Sequence, residues 1–311
     1  MKCKVRGWMC VRMYGPRSGI ERRSSNSGTD DVYWPRSGRR VRRPYVVGEW
    51  ARSWKDCMDL YSEDSKLRRY MGLYYPESRF GGFTGVDGTI AFYVRVQSLV
   101  EPSSVVLDVG CGRGACADDP VRVRRELRIF KGKCTQVIGI DVDPRAGENP
   151  FVDEFRLIED GRWPVRDGSV DVCVCDSVLE HIHDPERFFA ECRRVIRPGG
   201  YLCIRTTNSL NYVALFARLI PGRFHKAVLG RAMGGHRKEE DGFPTMYKCN
   251  TKRRIRRMLD EHGFEHYVYT YEAEPYHLSF SRLAYLCGVL HQRLAPGLFK
   301  GMIFAFARRQ A

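Results

Sequence analysis

Two short apolar segments, each ending at an acidic residue, constrain the fold of this chain more strongly than any other feature. Residues 105–109 read Val-Val-Leu-Asp-Val and run into a glycine-rich loop at residues 110–114. Further along the chain, residues 137–140 read Val-Ile-Gly-Ile and are followed by Asp141. A strand, a glycine turn and a second strand that ends in an acid are typical of a parallel sheet that holds an adenosine-bearing cofactor at its carboxyl edge.

The spacing of the glycines distinguishes between cofactors. Gly110, Gly112 and Gly114 follow a Gly-x-Gly-x-Gly pattern, whereas the dinucleotide fingerprint is Gly-x-Gly-x-x-Gly and opens directly onto a pyrophosphate. Asp108, just before the loop, is poorly placed for a phosphate and well placed for a positively charged amino group. The pattern therefore favours S-adenosylmethionine (SAM), which has an amino acid tail and no phosphate.

Strand and helix patterns alternate along the middle of the chain, which predicts an α/β fold with a parallel sheet covered on both faces. The expected strands are residues 105–109, 136–140, 155–158, 169–175 and 201–205, and the expected helices are residues 89–100, 120–130 and 185–196. A helix-breaking segment at residues 197–200 is expected to separate the helix at residues 185–196 from the strand at residues 201–205. Later helices are expected at residues 212–220, 251–262 and 278–290, and later strands at residues 267–271 and 303–307.

Positive charge is concentrated at the amino terminus. The net charge is +15, and residues 1–55 contribute +10 of it, from fourteen Lys or Arg and four acids. Their Arg, Ser, Gly and Pro content without helix or strand periodicity predicts a disordered basic tail. Three interpretations remain open: an accessory tail, an extension upstream of a later start at Met58 or Met71, or a basic arm or organellar presequence.

The cysteines indicate the compartment. Most of the twelve lie inside apolar strand or helix patterns, which predicts reduced, buried thiols and a cytoplasmic location rather than a disulfide framework. Cys173 and Cys175 are one residue too close for the usual zinc pair and share one face of a strand, so we expect core packing and no metal. No uninterrupted apolar stretch is long enough to span a bilayer.

Five motifs occur in order between residues 87 and 208: residues 107–114, 139–141, 163–171, 179–182 and 194–200. In sequence and spacing they resemble the class I SAM-dependent methyltransferases, especially the broad group that includes the ubiquinone and menaquinone C-methyltransferases. The resemblance implies a doubly wound, mostly parallel, seven-stranded Rossmann-like sheet with C-terminal helical insertions. It divides a domain at residues 56–311 into a cofactor half, about 87–208, and a part covering the acceptor, about 209–300.

The resemblance also implies roles for individual residues. Asp108 is expected to bind the cofactor ammonium, and Asp141 the ribose hydroxyls, although a carboxylate at the end of a strand can instead cap the next turn. Glu159 or Asp160 would accept from the adenine amino group. Further cofactor contacts are expected from the glycine loop and from residues that follow the second and fourth strands: Gly110, Cys111, Gly112, Val142, Asp176 and Ser177.

His181 is the candidate catalytic residue, because a histidine near the methyl group could accept a proton from an acceptor hydroxyl. The alternative is a structural or positioning role for the Glu180-His181 pair. The polar and aromatic loop at residues 236–247 is either an ordinary connection or a source of acceptor contacts. The candidates for those contacts are His236, Asp241, Thr245 and Tyr247.

The sequence therefore predicts a SAM-dependent methyltransferase that acts on a small molecule or on a glycan- or lipid-linked acceptor. The apolar helices near residues 211–220 and 278–290 fit core packing, a lid over an apolar acceptor, or a peripheral membrane contact. The first alternative, an RNA methyltransferase, is supported by the basic tail and by cations at residues 252–257. It is disfavoured because residues 176–179 lack the Asn/Asp-Pro-Pro-aromatic turn of base-amino methylases. The second alternative is a non-catalytic, SAM-binding scaffold protein.

Overall fold

The computed structural model of the chain describes residues 65–212 and 245–311, and the structural statements below concern those residues. The tail expected at residues 1–55 lies outside the described residues, as do the predicted acceptor contacts His236 and Asp241 and nearly all of the helix expected at residues 212–220.

The described residues form one seven-stranded sheet. Its strands are β1 (Val105–Val109), β2 (Gln136–Asp141), β3 (Glu154–Leu157), β4 (Val170–Asp176), β5 (Ile196–Thr207), β6 (Phe264–Tyr271) and β7 (Met302–Arg309). Their spatial order is β3-β2-β1-β4-β5-β7-β6. Strand β7 is antiparallel to both of its neighbours, and the other neighbouring pairs are parallel. The expected mostly parallel, seven-stranded sheet is confirmed.

The strand order reverses at β1. The chain passes from β1 outward through β2 to β3, and then crosses back to β4 on the other side of β1. In open α/β sheets this reversal leaves a crevice at the carboxyl ends of the central strands, where ligands bind. The crevice therefore lies next to Asp108 of β1 and the loop that follows it.

Six helices accompany the sheet in the described ranges: α1 (Lys66–Tyr74), α2 (Gly88–Gln97), α3 (Arg122–Arg128), α4 (Pro185–Val195), α5 (Lys252–Glu261) and α6 (Arg282–Leu294). Local signals begin several of them. Asp184 caps α4 by accepting from the Arg187 N–H, and Pro185 occupies its first turn. Thr251 caps α5 in the same way. These side chains satisfy amide groups that have no partner within the helix.

Helices cover both faces of the sheet, as expected for a doubly wound fold. On one face, Phe92 and Val96 of α2 pack with Val106 and Val174 of the strands. On the other face, apolar residues of α4 and α5 pack with the alternate strand residues, among them Leu107, Cys173, Phe189, Cys192, Ile255 and Leu259. The cysteines at positions 173, 175, 192 and 203 are buried.

Several expected boundaries are wrong. Helix α6 lies four residues later than the helix expected at residues 278–290, and two further differences have a visible cause. Strand β5 begins at Ile196 directly after α4, so the predicted breaker at residues 197–200 lies within the strand. A shift in register between Val170 and Val172 accommodates the extra residues as a bulge. Helix α3 begins only at Arg122, because the Asp119 carboxylate turns toward the Val121 N–H and the Arg124 guanidinium and does not cap the helix.

No helix in the described ranges combines the length and the apolar character needed to cross a membrane.

Candidate functional site

Three acids lie at the carboxyl edge of neighbouring parallel strands. Asp141 and Asp176 are the last residues of β2 and β4, and Asp108 is the last but one of β1, which lies between them. Because neighbouring parallel strands end at the same edge, the topology brings together residues that are distant in sequence. All three were predicted as site residues from the sequence.

Two glycines of the loop after β1, at positions 110 and 112, both have a positive φ but have different surroundings. Gly110 has φ +68°, and a Cβ there would collide with the side chain of Val178. Gly112 has φ +51°, but among the described residues no heavy atom outside its two chain neighbours lies within 4 Å of the position its Cβ would take. The loop is therefore packed beneath Gly110 and leaves open space beside Gly112, where a ligand can approach the backbone.

Asn149 holds this loop, and sequence reasoning missed it. Its Nδ2 donates to the carbonyl oxygens of Cys111 and Gly112 at 2.9 and 3.1 Å, and its Oδ1 accepts from the Phe151 N–H at 2.9 Å. Asn149 follows a short 3-10 turn, Pro144–Glu148, that stands in place of a helix between β2 and β3. The signal that could have revealed it is a lone Asn before Pro150 in a segment without helix periodicity.

Asp141 connects the end of β2 to the same loop. Its Oδ2 accepts from the Gly112 N–H at 3.0 Å and its Oδ1 from the Asp143 N–H at 2.9 Å. These bonds match the alternative in which the Asp141 carboxylate caps the turn that follows β2. Each of its oxygens still has a second lone pair that can accept from another donor. Val142, the next residue, has an exposed apolar side chain.

The carboxylate of Asp108 lies in a site that suits a cation. Burial raises the pKa of Asp108 to about 7, and the nearby Asp176 and Asp141 carboxylates add to the rise while Arg128 opposes it. Among the described residues, none donates a hydrogen bond to this carboxylate. A positively charged group bound beside it would stabilise its ionised form.

Glu159 and Asp160 are exposed just beyond β3. With Leu157, Arg162, Trp163, Pro164 and Val165 they line a cleft of about 360 Å³. The Asp160 carbonyl accepts from the Arg187 guanidinium at 2.5 Å, which links the turn to α4. The exposed lining carries two acids and Arg162, and the buried lining is Trp163 and Val165, which is suitable for a flat ring with an amino group.

Asp176 is engaged with other side chains. Arg205 donates from Nε to Oδ1 and from Nη2 to Oδ2, both at 2.6 Å, and the Tyr93 hydroxyl donates to Oδ2 at 2.8 Å. Burial raises the pKa of Asp176, but the Arg205 guanidinium outweighs burial and holds that pKa below its ordinary value. The carboxylate is therefore an ionised anchor between α2, β4 and β5.

Ser177 follows this anchor in a strained turn. It is exposed, has φ +59°, and its N–H donates to the Arg205 carbonyl at 2.9 Å. A positive φ is uncommon for a residue other than glycine and is frequent at functional sites. Tyr93 and Arg205 were not predicted, because no local pattern marks a pairing between α2 and β5.

The turn that carries His181 rests on a buried polar network. Glu180 is buried, and its Oε2 accepts from the Thr206 hydroxyl at 2.7 Å. The Thr206 oxygen accepts in turn from Asn250 Nδ2 at 2.7 Å. The Glu180 carbonyl accepts from the Met246 and Tyr247 N–H groups. The predicted acceptor residues Thr245 and Tyr247 are therefore brought next to this turn, and both are exposed.

The substitution Gly112→Ala should separate ligand binding from folding. The positive φ costs about 1 kcal/mol of stability for alanine, but within the described ranges the added methyl group meets no atom beyond its chain neighbours and enters the open space where a ligand would lie. We expect cofactor affinity to fall at least about tenfold, measured by calorimetric titration. Gly168→Ala is the matched control, because Gly168 has φ +58°, no neighbour within 4 Å and no place at this edge. Equal loss of affinity in both variants would contradict the placement of the ligand.

Comparison with known proteins is consistent with this geometry. A family described as a methyltransferase domain matches residues 107–204. A probable S-adenosylmethionine-dependent methyltransferase of Mycolicibacterium smegmatis is 37% identical over 112 residues, which are 34% of this chain and 39% of that protein. A ubiquinone biosynthesis O-methyltransferase of Cupriavidus pinatubonensis is 30% identical over 112 residues, 33% of this chain and 41% of its own length.

An arsenite methyltransferase of Halobacterium salinarum is 36% identical over 119 residues, 35% of this chain and 29% of that protein. The chain thus spans well under half the length of the relatives it matches. The names of these relatives give different acceptors, or none, so the shared segment carries no information about the acceptor.

Proposed function

We propose that the protein is an enzyme that uses S-adenosylmethionine as methyl donor. The chain contains a class I methyltransferase domain, whose matched core is residues 107–204. The observation that carries the proposal is the pair of acidic strand ends around the glycine loop. Asp108 lies half-buried beside the loop, and Asp141 is bonded to the Gly112 N–H on its other side.

The residues at this edge suit the parts of SAM. Asp108 has a raised pKa and would be stabilised by the ammonium of the amino acid tail. Asp141 retains lone pairs for the two ribose hydroxyls. The cleft beside Glu159 and Asp160 would take the adenine, with Val142 as an apolar neighbour. The open space beside Gly112 leaves the backbone accessible between these subsites.

SAM supplies a methyl group on a positively charged sulfur, which a nucleophilic atom of the acceptor can displace. The protein has to align the acceptor and exclude water, and such alignment can supply several kcal/mol of the barrier reduction. His181, which follows Glu180 in the turn held by the Glu180–Thr206 hydrogen bond, is proposed to position the acceptor. For a hydroxyl acceptor the same side chain could also accept the proton.

The proposed acceptor is a small molecule or a glycan- or lipid-linked molecule. Support comes from the exposed Thr245 and Tyr247 beside the His181 turn. It also comes from an apolar cavity of about 420 Å³ formed mainly by α6 and the residues after it. A polar rim and an apolar cavity at the same edge suit an acceptor with one polar end and one apolar end.

The first test is calorimetric titration of SAM into the full chain and into an Asp141→Asn variant. We expect the variant to bind about tenfold more weakly, because an amide oxygen accepts hydrogen bonds less strongly than a carboxylate. Asp153→Asn is the matched control, since Asp153 also accepts a backbone N–H, that of Val137 at the amino end of β2. Absence of SAM binding to the folded full chain would refute the proposal.

Transfer of a labelled methyl group to fractions of a cell extract distinguishes the enzyme from a non-catalytic scaffold protein. The RNA alternative has support from one structural feature, the exposed cations Lys252, Arg253, Arg254, Arg256 and Arg257 of α5. Labelling that is lost after ribonuclease treatment and falls steeply with salt would favour RNA over the proposed acceptors.

A further inference from the structure

Helix α6 has two apolar sides. One side carries Tyr285, Gly288 and Val289, which are buried. Tyr285 and Val289 pack against Leu67 and Met71 of α1. At about 100° per residue, Leu283, Leu290 and Leu294 fall on the opposite side of the helix.

These three leucines are on the surface. Their exposed fractions are 70% for Leu283, 48% for Leu290 and 75% for Leu294. The solvent side of a surface helix is ordinarily polar, so an exposed row of leucines is unusual. We call this surface the leucine face, and define it as Leu283, Leu290 and Leu294 with the exposed side chains that flank them, Phe280, Leu298 and Phe299.

Exposed apolar side chains are concentrated here. Of the fourteen large hydrophobic residues that are exposed in the described part of the chain, seven lie between Tyr276 and Phe299. A cavity of about 420 Å³, lined by Leu290, Leu294 and Phe299 among others, adjoins the same surface. An exposed apolar surface of this kind marks a binding partner.

The charges of the segment identify the chemistry of the partner. Residues 276–300 contain no Asp or Glu and three permanent cations, Arg282, Arg293 and Lys300. In space, Glu272 lies near Lys300 and Arg293 donates to the Tyr74 carbonyl, whereas Arg282 is an exposed cation at the start of the helix that carries the leucines. Exposed leucine and phenylalanine with such a cation beside them suit a surface that is apolar inside and anionic outside. A twofold contact with a second copy would instead bring two sets of these cations into one interface.

We propose that the leucine face docks on the surface of an anionic lipid membrane. The leucines and phenylalanines enter the boundary between headgroups and acyl chains, and the exposed Arg282 lies among the anionic headgroups. Helix α6 lies in the connection between β6 and β7, and β6 ends at the same sheet edge as β1 and β2. Docking would therefore bring the edge that carries Asp108 and Asp141 close to the lipid.

The proposal is tested by sedimentation of the full chain with vesicles of phosphatidylcholine alone and of equal parts phosphatidylcholine and phosphatidylglycerol. We expect binding to the anionic vesicles to fall at least about tenfold in the Leu283→Gln/Leu294→Gln variant and about threefold in Arg282→Glu. These side chains are exposed, so both variants should keep the wild-type thermal midpoint.

Matched controls separate the leucine face from general surface properties. Val94→Gln/Tyr267→Gln removes two exposed apolar residues elsewhere, and Arg253→Glu reverses a charge on α5. Both should bind vesicles like the wild type. The basic residues at 1–55 are the same in all variants, so their attraction to anionic lipid is a common background.

Two results would overturn the proposal. One is that the Leu283→Gln/Leu294→Gln variant binds anionic vesicles as well as the wild type, which would show that cations elsewhere on the protein bind the lipid. The other is a wild-type dimer, seen by sedimentation velocity without lipid, that the same double variant dissociates. That result would make the leucine face a contact between copies. Neither result depends on SAM binding, so the methyltransferase proposal is tested separately.

Discussion

The Asp108→Asn variant is expected to bind SAM about a hundredfold more weakly than the wild type, because truncating one partner of a desolvated charge pair costs about 2–5 kcal/mol. Asparagine keeps the shape of the side chain and removes the negative charge that would face the cofactor ammonium. Calorimetric titration at pH 8 measures the difference. Unchanged affinity would remove Asp108 from the cofactor site.

The same variant should be more stable than the wild type at pH 8. The pKa of Asp108 is raised to about 7 in the folded chain, against about 4 for an unfolded aspartate. Ionising it in the fold therefore costs stability, and the cost is absent below about pH 4, grows between pH 4 and 7, and is complete above pH 7. We expect a gain of about 1–3 kcal/mol at pH 8 that disappears near pH 4, measured by thermal unfolding.

Affinity should follow the same ionisation. Between pH 8 and pH 6 the wild type should lose affinity for SAM as Asp108 takes up a proton, whereas the asparagine variant should show a flatter profile. Equal stability of the two proteins at pH 8 would contradict the buried-charge explanation. A parallel pH profile in both would show that another group controls binding.

The Arg205→Met variant should lose about 3–5 kcal/mol of unfolding free energy, because it leaves a buried carboxylate without its cation. Arg205 and Asp176 are largely buried side chains joined by two hydrogen bonds, and the Arg205 guanidinium lies over the rings of Phe92 and Tyr93, where methionine would supply an apolar group. The pKa of Asp176 is held below its ordinary value, so the pair stabilises the fold above the unfolded pKa and loses this effect as pH falls. Chemical denaturation at pH 8 and pH 4 should show the larger loss at pH 8.

The double variant Arg205→Met/Asp176→Asn provides the control for this effect. Removing the stranded charge should recover more than half of the lost stability, since the cost comes from the unpaired carboxylate and not from the missing arginine. Arg308→Met is the matched surface substitution, because Arg308 also lies over an aromatic ring, that of Tyr201, but is exposed. A loss as large at Arg308 as at Arg205 would contradict the argument.

The sheet could be predicted from the sequence because each strand is a local apolar segment with an acid or a turn at its end. Asp108 and Asp141 were predicted at one edge because neighbouring parallel strands end together. The anchor of Tyr93, Asp176 and Arg205 could not be predicted, since it joins residues 83 and 29 positions apart and no periodicity records such a pairing.

Two of the wrong boundaries have the same origin. Proline and glycine at residues 198–200 are typical of a break, but pairing with β4 retains these residues in β5 through a bulge. Asp119 is suited to cap a helix, but Arg124 offers its carboxylate a charged partner. In both places a distant or charged contact outweighs the local preference. The individual roles of the predicted site residues stay predictions.

The bonds from Asn149 and Asp141 to the glycine loop affect how fast a ligand can be captured. Asn149 binds the loop carbonyls and Asp141 binds an amide of the same loop, so both sides of the turn are immobilised by side chains from one neighbouring strand connection. A ligand that binds at this edge would meet a loop whose backbone is already held in place by these hydrogen bonds. Its affinity is then not reduced by the entropy of ordering a loop, and its association rate is limited by diffusion and orientation rather than by a conformational step.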